Sequence, residues 1–524
     1  MRDMIVDAQA HEARSRFIES IDQNDILKLA SSYHSNKPSQ IFRPVKHGSF
    51  NVCFFVEFPN QDTLDAPDRW VVRLPIPDRV LWVNEKIDVE IATMSRYVAA
   101  NTTIPIPKIR AYSLVEDSPI KMTFIIMDYV EGKNLQELGF PKDIDTWWSP
   151  TTQPSRAARI MYQNLAQIYA QLRRLEFPEI GALGLPTGED DDPTIRVRHR
   201  PLCIEILLQQ VEGLEPTAKF PEKATFKTAK DYVDALLWLE DNMLQNGKNS
   251  LIDIRGGDRT LYASHHFRKF VTESWLEPAL DGGPFVLMHG DLDIQNLLWD
   301  DDINLVAVLD WEWSAVVPLQ FFVPSPWLHG NSIDFLCHSQ KLYNLEVRSL
   351  CNIMRHEEQA LGLRCPPELS TEWAKSTRFC HTLVACALLR PEYVFNVFWS
   401  FINYHLIGFR PRTDEDIVKF KEMTSSQLAV FMQDGDRKDF LARKEVEQKE
   451  YVEMEKAYFG TEDEAEDTTP IDTFEGSVIE WLLHKNGHGQ GNAGLVLHAK
   501  SNSTMRSSEM TAGSCHVPRR HYFS

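Results

Sequence analysis

Long apolar runs are missing from this 524-residue sequence. A bilayer span takes about 20 nearly uncharged residues, and the best stretch, from Phe379 to Trp399, is interrupted by His381, Arg390 and Glu392. No membrane insertion is therefore expected. Basic charge is also short: 55 Lys and Arg face 75 Asp and Glu, a formal net charge of -20. That balance opposes binding to nucleic acid or to anionic lipid. The eight cysteines, scattered from Cys53 to Cys515, never form a CxxC pair, which argues against a disulfide framework or a zinc site. Reduced thiols and a cytoplasmic setting are the expectation. The opening residues, MRDMIVDAQAHEARSR, carry charge where a signal peptide needs an apolar core. GxSxG, HExxH and a full GxxxxGK[ST] are absent too, so hydrolase and P-loop readings lack support.

What is present reads as a globular protein of at least two lobes. Hydrophobic residues make up 43% and charged residues 25%, enough for a proper core, and a single core stops growing well before this length. Residues 1 to about 40 form a polar helical lead. FNVCFFVEF from Phe50 and WVVRLPI from Trp70 read as strands. Between Glu85 and Ala100, Ile87, Ile91, Met94, Tyr97 and Val98 recur at helical spacing. The prolines of TTIPIP end that helix, and TFIIMDYVEG from Thr123 is a buried strand running into a turn at Gly132. A clear amphipathic helix follows, with Ala157, Ile160, Met161, Leu165, Ile168, Tyr169, Leu172 and Leu175 on one stripe. Most of 331 to 460 is again helical. TEDEAEDTTP from Thr461 is an acidic linker, IDTFEGSVIEWLL is a short helix, and the last forty or so residues are expected to be disordered.

The chemistry concentrates in HGDLDIQNLLWDDDINLVAVLDWEW, from His289 to Trp313. Two short apolar runs, Leu297 to Trp299 and Leu305 to Leu309, flank the turn-rich DDDIN and predict a hairpin. Asn296 enters its first strand and Asp310 leaves its second, which puts both at the same open end, with Asp291 on the loop just before. Two carboxylates and a carboxamide supply hard oxygen ligands of the kind that suit Mg2+ bridging nucleotide phosphates. Asp291, on the approach loop, is placed to accept the proton of a substrate hydroxyl.

These residues resemble the aminoglycoside phosphotransferase and choline kinase family, a branch of the protein-kinase-like fold whose catalytic loop reads HGDxxxxN. HGDLDIQN supplies the loop and LDWEW the metal-binding aspartate. The resemblance implies Asp291 as catalytic base, Asn296 and Asp310 as Mg2+ ligands, and His289 and Gly290 as shapers of the loop. It runs from about Phe42 to Leu328. In GSFNVCFFVEF, Gly48 and Ser49 fall at a phosphate-covering loop, though one glycine stands where a triplet is usual. Arg73 falls where the family has its phosphate-binding lysine, and Glu90 at the partner glutamate. FIIMDYVEG resembles the hinge, where backbone groups of Asp128 and Val130 would meet the adenine edge.

The expected fold is therefore α+β and two-lobed, with a small sheet-containing N-lobe (1–130), a large mainly helical C-lobe (131–485) and a tail (486–524). The expected function is transfer of the γ-phosphate of ATP, with Mg2+, to an alcohol group of a small hydroxylated molecule. The acidic charge slightly favours a cationic acceptor, and no protein partner is evident. Arg73 and the reduced glycine loop motivate a rival from another class: a catalytically silent nucleotide-binding or scaffold protein with the same fold. His265 and His266 have no carboxylate or thiol at ligand spacing. Trp147, Trp148, Trp311, Trp313 and Trp327 are assigned mainly to the core.

Overall fold

The computed structural model describes residues 3–59, 66–77, 79–140, 155–186, 194–251, 256–329, 333–362, 366–376, 381–409, 411 and 413–460. The acidic linker, the short helix after it, the tail, Trp147 and Trp148 lie outside the described residues. Two helices, α1 (Met4–Glu19) and α2 (Gln23–Tyr33), open the chain. Each has an aspartate N-cap, Asp3 and Asp22, whose carboxylate accepts from backbone N–H groups of the first turn.

A five-stranded antiparallel sheet follows, in the order β1-β2-β3-β5-β4. Its strands are β1 (Gln40–His47), β2 (Asn51–Phe58), β3 (Asp68–Pro75), β4 (Ile109–Ser113) and β5 (Phe124–Asp128). The sequence reading found β2, β3 and β5. It missed the two edge strands, because β1 is mostly exposed and carries Pro44, while β4 has no buried residue. Both are features of edges rather than of central strands. Side chains alternate across a strand, and here the alternation positions the chemistry. Val72 and Leu74 point to the face covered by Ile26, Leu29 and Ala30 of α2, so Arg73 between them points to the opposite face, where it lines a cleft. Helix α3 (Val83–Glu90) packs on that second face through Ile87, which meets Ile125 and Met127. It continues as a π-helical stretch, Ile91–Val98, within the single helix expected there.

The remaining chain is a large, mainly helical lobe. Helix Arg156–Arg173 runs through its centre, burying Met161, Tyr162, Leu165 and Ile168. Its small sheets are β6 (Glu176–Phe177) with β9 (Phe285–Met288) and β12 (Ala315–Pro318), β7 (Ala182–Gly184) with β8 (Arg196–His199), and β10 (Leu297–Trp299) with β11 (Leu305–Val308). The architecture is α+β and two-lobed, with a sheet lobe set against a helical lobe. Among the described residues no helix is long and apolar enough to cross a membrane.

The last described helix, Gly435–Phe459, returns to the beginning of the chain. Tyr451 on it is buried, and its hydroxyl accepts from Met4 N at 2.5 Å and donates to Asp3 Oδ1 at 3.2 Å. The buried Lys444 ammonium anchors the same helix through Gly247 O at 2.6 Å and is itself paired with Glu447, one turn on, at 2.7 Å.

Candidate active site

Two strand pairs bracket the predicted catalytic segment. Ala315 pairs with Met288 where β12 meets β9, and Leu297 with Val308 where β10 meets β11. The loop 289–296 and the segment 309–314 are thus strung between the same two ladders and held side by side. The predicted hairpin is present, and Asn296 and Asp310 flank its open end. His289 staples the two segments together: Nε2 donates to Leu309 O at 2.8 Å and Nδ1 accepts from Asp291 N at 3.3 Å. Both ring nitrogens are spent, and burial pushes the imidazole down to about 4, so it is neutral. At Gly290 the backbone has φ +83°, and a Cβ there would lie 2.0 Å from Trp313 O. Only glycine permits that approach.

Asn296 Nδ2 donates to Asp291 O at 2.9 Å and to Asp291 Oδ2 at 3.0 Å. This fixes the Asp291 carboxylate while leaving the Asn296 oxygen for a ligand. Burial, followed by repulsion from Asp293, raises Asp291 to about 6. Asp310 sits in the left-handed region, φ +60°, a conformation aspartate tolerates better than most residues. Burial and the neighbouring Glu312 raise its carboxyl well above the usual range. Such a site is short of positive charge.

Across the cleft, Arg73 pairs with Glu90 and reaches Asp310 at 3.5 Å. The predicted Arg73–Glu90 partnership is therefore present and buried, with an added contact to Asp310 that the sequence did not disclose. Gly48 and Ser49 sit at the β1–β2 turn, where Gly48 N donates to Asn51 O at 2.9 Å. Nothing lies within 4 Å of the place a Gly48 Cβ would occupy. Asp128 and Val130 line the same cleft. Asp128 N is spent on Lys108 O at 2.9 Å, and the Asp128 carboxylate holds Arg110. Val130 N–H has no partner among the described residues. All the expected site residues thus border one cleft of about 2140 Å3.

Sequence reasoning missed a second ion pair beneath the site. Lys86 Nζ lies 3.0 Å from Glu312 and 3.7 Å from the Trp313 ring centre, and Asn51 donates to Glu312 at 3.2 Å. Lys86 precedes Glu90 by four residues, so the two share a helix face, and that spacing was the available signal. Trp311, Trp313 and Trp327 are buried, as expected. His265 and His266 pack with Tyr262, Phe398 and Phe431.

The model of the phosphotransferase enzyme family (APH) matches residues 42–320, more than half of the chain and the whole of the site just described. The chain belongs to that family. Two curated proteins also resemble this phosphotransferase-family chain. "Altered inheritance of mitochondria protein 9, mitochondrial" from Meyerozyma guilliermondii is 22% identical over 175 residues, 33% of this chain and 24% of that protein. "Clavilactone A biosynthesis cluster protein Y" from Ampulloclitocybe clavipes is 24% identical over 275 residues, 51% of this chain and 60% of that protein. The chain thus spans less than two thirds of either relative. Among solved structures, macrolide 2'-phosphotransferase type I is 14% identical with a TM-score of 0.37, covering 73% of this chain and 96% of that one. The GDP complex of wild-type aminoglycoside 2'-phosphotransferase-IIIa is 12% identical, also at 0.37, covering 72% and 100%.

Proposed function

We propose that the chain transfers the γ-phosphate of ATP to an alcohol group of a small molecule, with the lobes dividing near residue 130. The observation that carries this reading is the meeting of Asp291, Asn296 and Asp310 with the Arg73–Glu90 pair around one cleft. Asp291 takes the acceptor proton, and its raised proton affinity suits a base working near neutral pH. Asn296 holds the receiving carboxylate in place. Arg73, fixed by Glu90, offers a planar fork to nucleotide phosphates, while Val130 N–H and the hinge backbone take the adenine edge.

The donor set of Asp310 and the Asn296 carboxamide suits Mg2+. Mg2+ keeps several waters and completes its shell with phosphate oxygens, so a site of few protein ligands is adequate. When bound, it neutralises charge on the transferring phosphate. The silent nucleotide-binding reading has one observation in its favour: Arg73 contacts Asp310 itself, tying up a proposed metal ligand.

Thermal melting with MgATP, with ATP plus chelator, and then a screen of MgATP consumption across alcohols, amines and sugars would decide. At 100 times its Kd a ligand stabilises the native state by about 2.7 kcal/mol, so MgATP should raise the melt, and more than ATP with chelator. Absence of any shift at millimolar MgATP removes both readings. A shift without turnover of any acceptor class favours the silent one.

A further inference from the structure

Helix α3 carries charge on two faces. Lys86 and Glu90, four residues apart, turn to the site, where they meet Glu312 and Arg73. Glu85 and Asp88, three apart, turn instead to the β7–β8 pair. Arg200, the residue after β8, is 1% exposed, and it forks onto Glu85 through Nε at 3.1 Å and NH2 at 2.7 Å. Its NH1 donates to Phe220 O at 2.7 Å, and its guanidinium carbon lies 4.1 Å from the Trp82 ring centre. His199 Nε2 donates to Asp88 Oδ2 at 2.6 Å, and Leu185 N donates to the same oxygen at 3.2 Å. A Cβ at Gly184 would lie 2.8 Å from that His199 nitrogen, so the glycine leaves room for the contact.

The β7–β8 pair belongs to the large lobe and is tied to the catalytic segment. Gly181 and Val316 exchange backbone hydrogen bonds of 3.1 and 2.7 Å, which joins the start of β7 to β12, the strand into which the segment 309–314 runs. Asp310 and the partners of α3 are therefore referred to one strand. On its other face α3 supports Arg73 through Glu90, and Arg73 reaches Asp310 at 3.5 Å. The contacts close a ring from β12 through β7–β8, α3 and Arg73 back to Asp310. An apolar contact tolerates sliding, whereas a buried fork has one register.

We propose that Arg200 and His199 are positioning residues for the nucleotide cleft: through Glu85 and Asp88 they clamp α3 to the large lobe, so that the Arg73–Glu90 pair stands opposite Asp310 before any ligand arrives. Neither is among the residues that line the cleft, so each acts through α3. A helix free to move would have to be ordered on binding, and the apparent affinity would fall with the fraction of molecules already assembled. The role rests on the proposed reading of Arg73 as a phosphate ligand. The clamp itself does not, and it is read without ligand.

Hydrogen exchange on the full chain is the first measurement. In the ligand-free parent Val83–Glu90 should exchange as slowly as β3, and MgATP should slow it little further while slowing the β1–β2 turn. Arg200→Met alone strands a buried carboxylate, so the deciding variant joins Glu85→Met to Arg200→Met and puts apolar side chains in place of the pair. It should melt at or above the parental temperature, exchange Val83–Glu90 faster, and bind MgATP about tenfold more weakly, as if about a tenth of the molecules were assembled. MgATP should then protect α3 strongly. His199→Ala, at a contact whose side chains are 16% and 30% exposed, should act in the same direction to a smaller extent, and it decides where the double variant does not fold. Fast exchange of Val83–Glu90 in the ligand-free parent overturns the proposal, as does parental exchange with parental MgATP affinity in the variants. A parent that binds no MgATP removes the nucleotide reading and the positioning role with it, even where slow exchange of α3 shows the clamp.

Discussion

Asp291 meets two opposed demands. As the proposed base it must be ionised, yet burial and Asp293 hold its folded value near 6 rather than 3.8. A raised folded value means the fold favours the protonated acid. The stability from this group is complete below pH 3.8 and is lost as pH rises through 6. Activity runs the other way, and below about pH 6 transfer should fall about tenfold per pH unit in a pH–rate profile. Asp291→Asn should keep the MgATP-dependent melting shift, lower transfer by about 10² or more, and raise the stability of the ligand-free protein at pH 8 by on the order of 3 kcal/mol. A variant less stable than the parent at pH 8 would contradict the buried-acid account.

Arg73 poses a different question at the same scale. Its fork engages Glu90 and Asp310 together, a geometry an ammonium does not reproduce. Arg73→Lys should bind MgATP more weakly than the parent by titration. Arg73→Met should bind more weakly still, because Glu90, only 1% exposed, is left unpaired. Binding of MgATP by Arg73→Met at parental strength would remove Arg73 from the proposed phosphate site. Asp291, Asn296 and Asp310 were legible in the sequence because their spacing and hairpin context coincide. Lys86 and Glu312 were not given roles, since a charge on a helix reads as surface until its partner, more than two hundred residues away, is known.

Among elements, those with a strong period were legible and those shaped by their neighbours were not. The central strands and helix Arg156–Arg173 declare themselves by alternation and by an apolar stripe. The edge strands β1 and β4 carry no such signal, and β6 to β9 and β12 are too short to show one. Helix α1 was expected only as a polar lead, and its polar residues turn out to face the cleft. Its hold on the fold depends on Tyr451, whose hydroxyl serves both the α1 N-terminus and its cap. Tyr451→Phe should cost about 1 kcal/mol, read as faster exchange across Met4–Glu19 with little change in Arg156–Arg173. Uniform acceleration of both helices would mean that α1 is not a separately opening unit.

At the scale of the whole molecule, the two-lobed plan followed from the order of motifs, whereas the part α1 plays in the cleft did not. The cleft is lined by residues of α1, by Arg390 and by Phe459, contributed from both ends of the described fold and from the helices between. No local pattern announces such a meeting. The Met4–Tyr451 bond spans 447 positions, which gives the order of assembly a definite direction. Helix α1 is synthesised before the rest of the described fold, but the surface that receives it is completed only when Gly435–Phe459 has docked on Gly247. Closing so long a loop is repaid only after the intervening chain is structured. In a refolding experiment with pulsed deuterium labelling, amides of Met4–Glu19 should therefore be protected last, after β2, β3 and Arg156–Arg173. Protection of α1 in step with β2 and β3 would show that the sheet alone suffices to seat it. Until that late step, a nascent chain has its β1–β2 turn in place and one side of its cleft unbuilt.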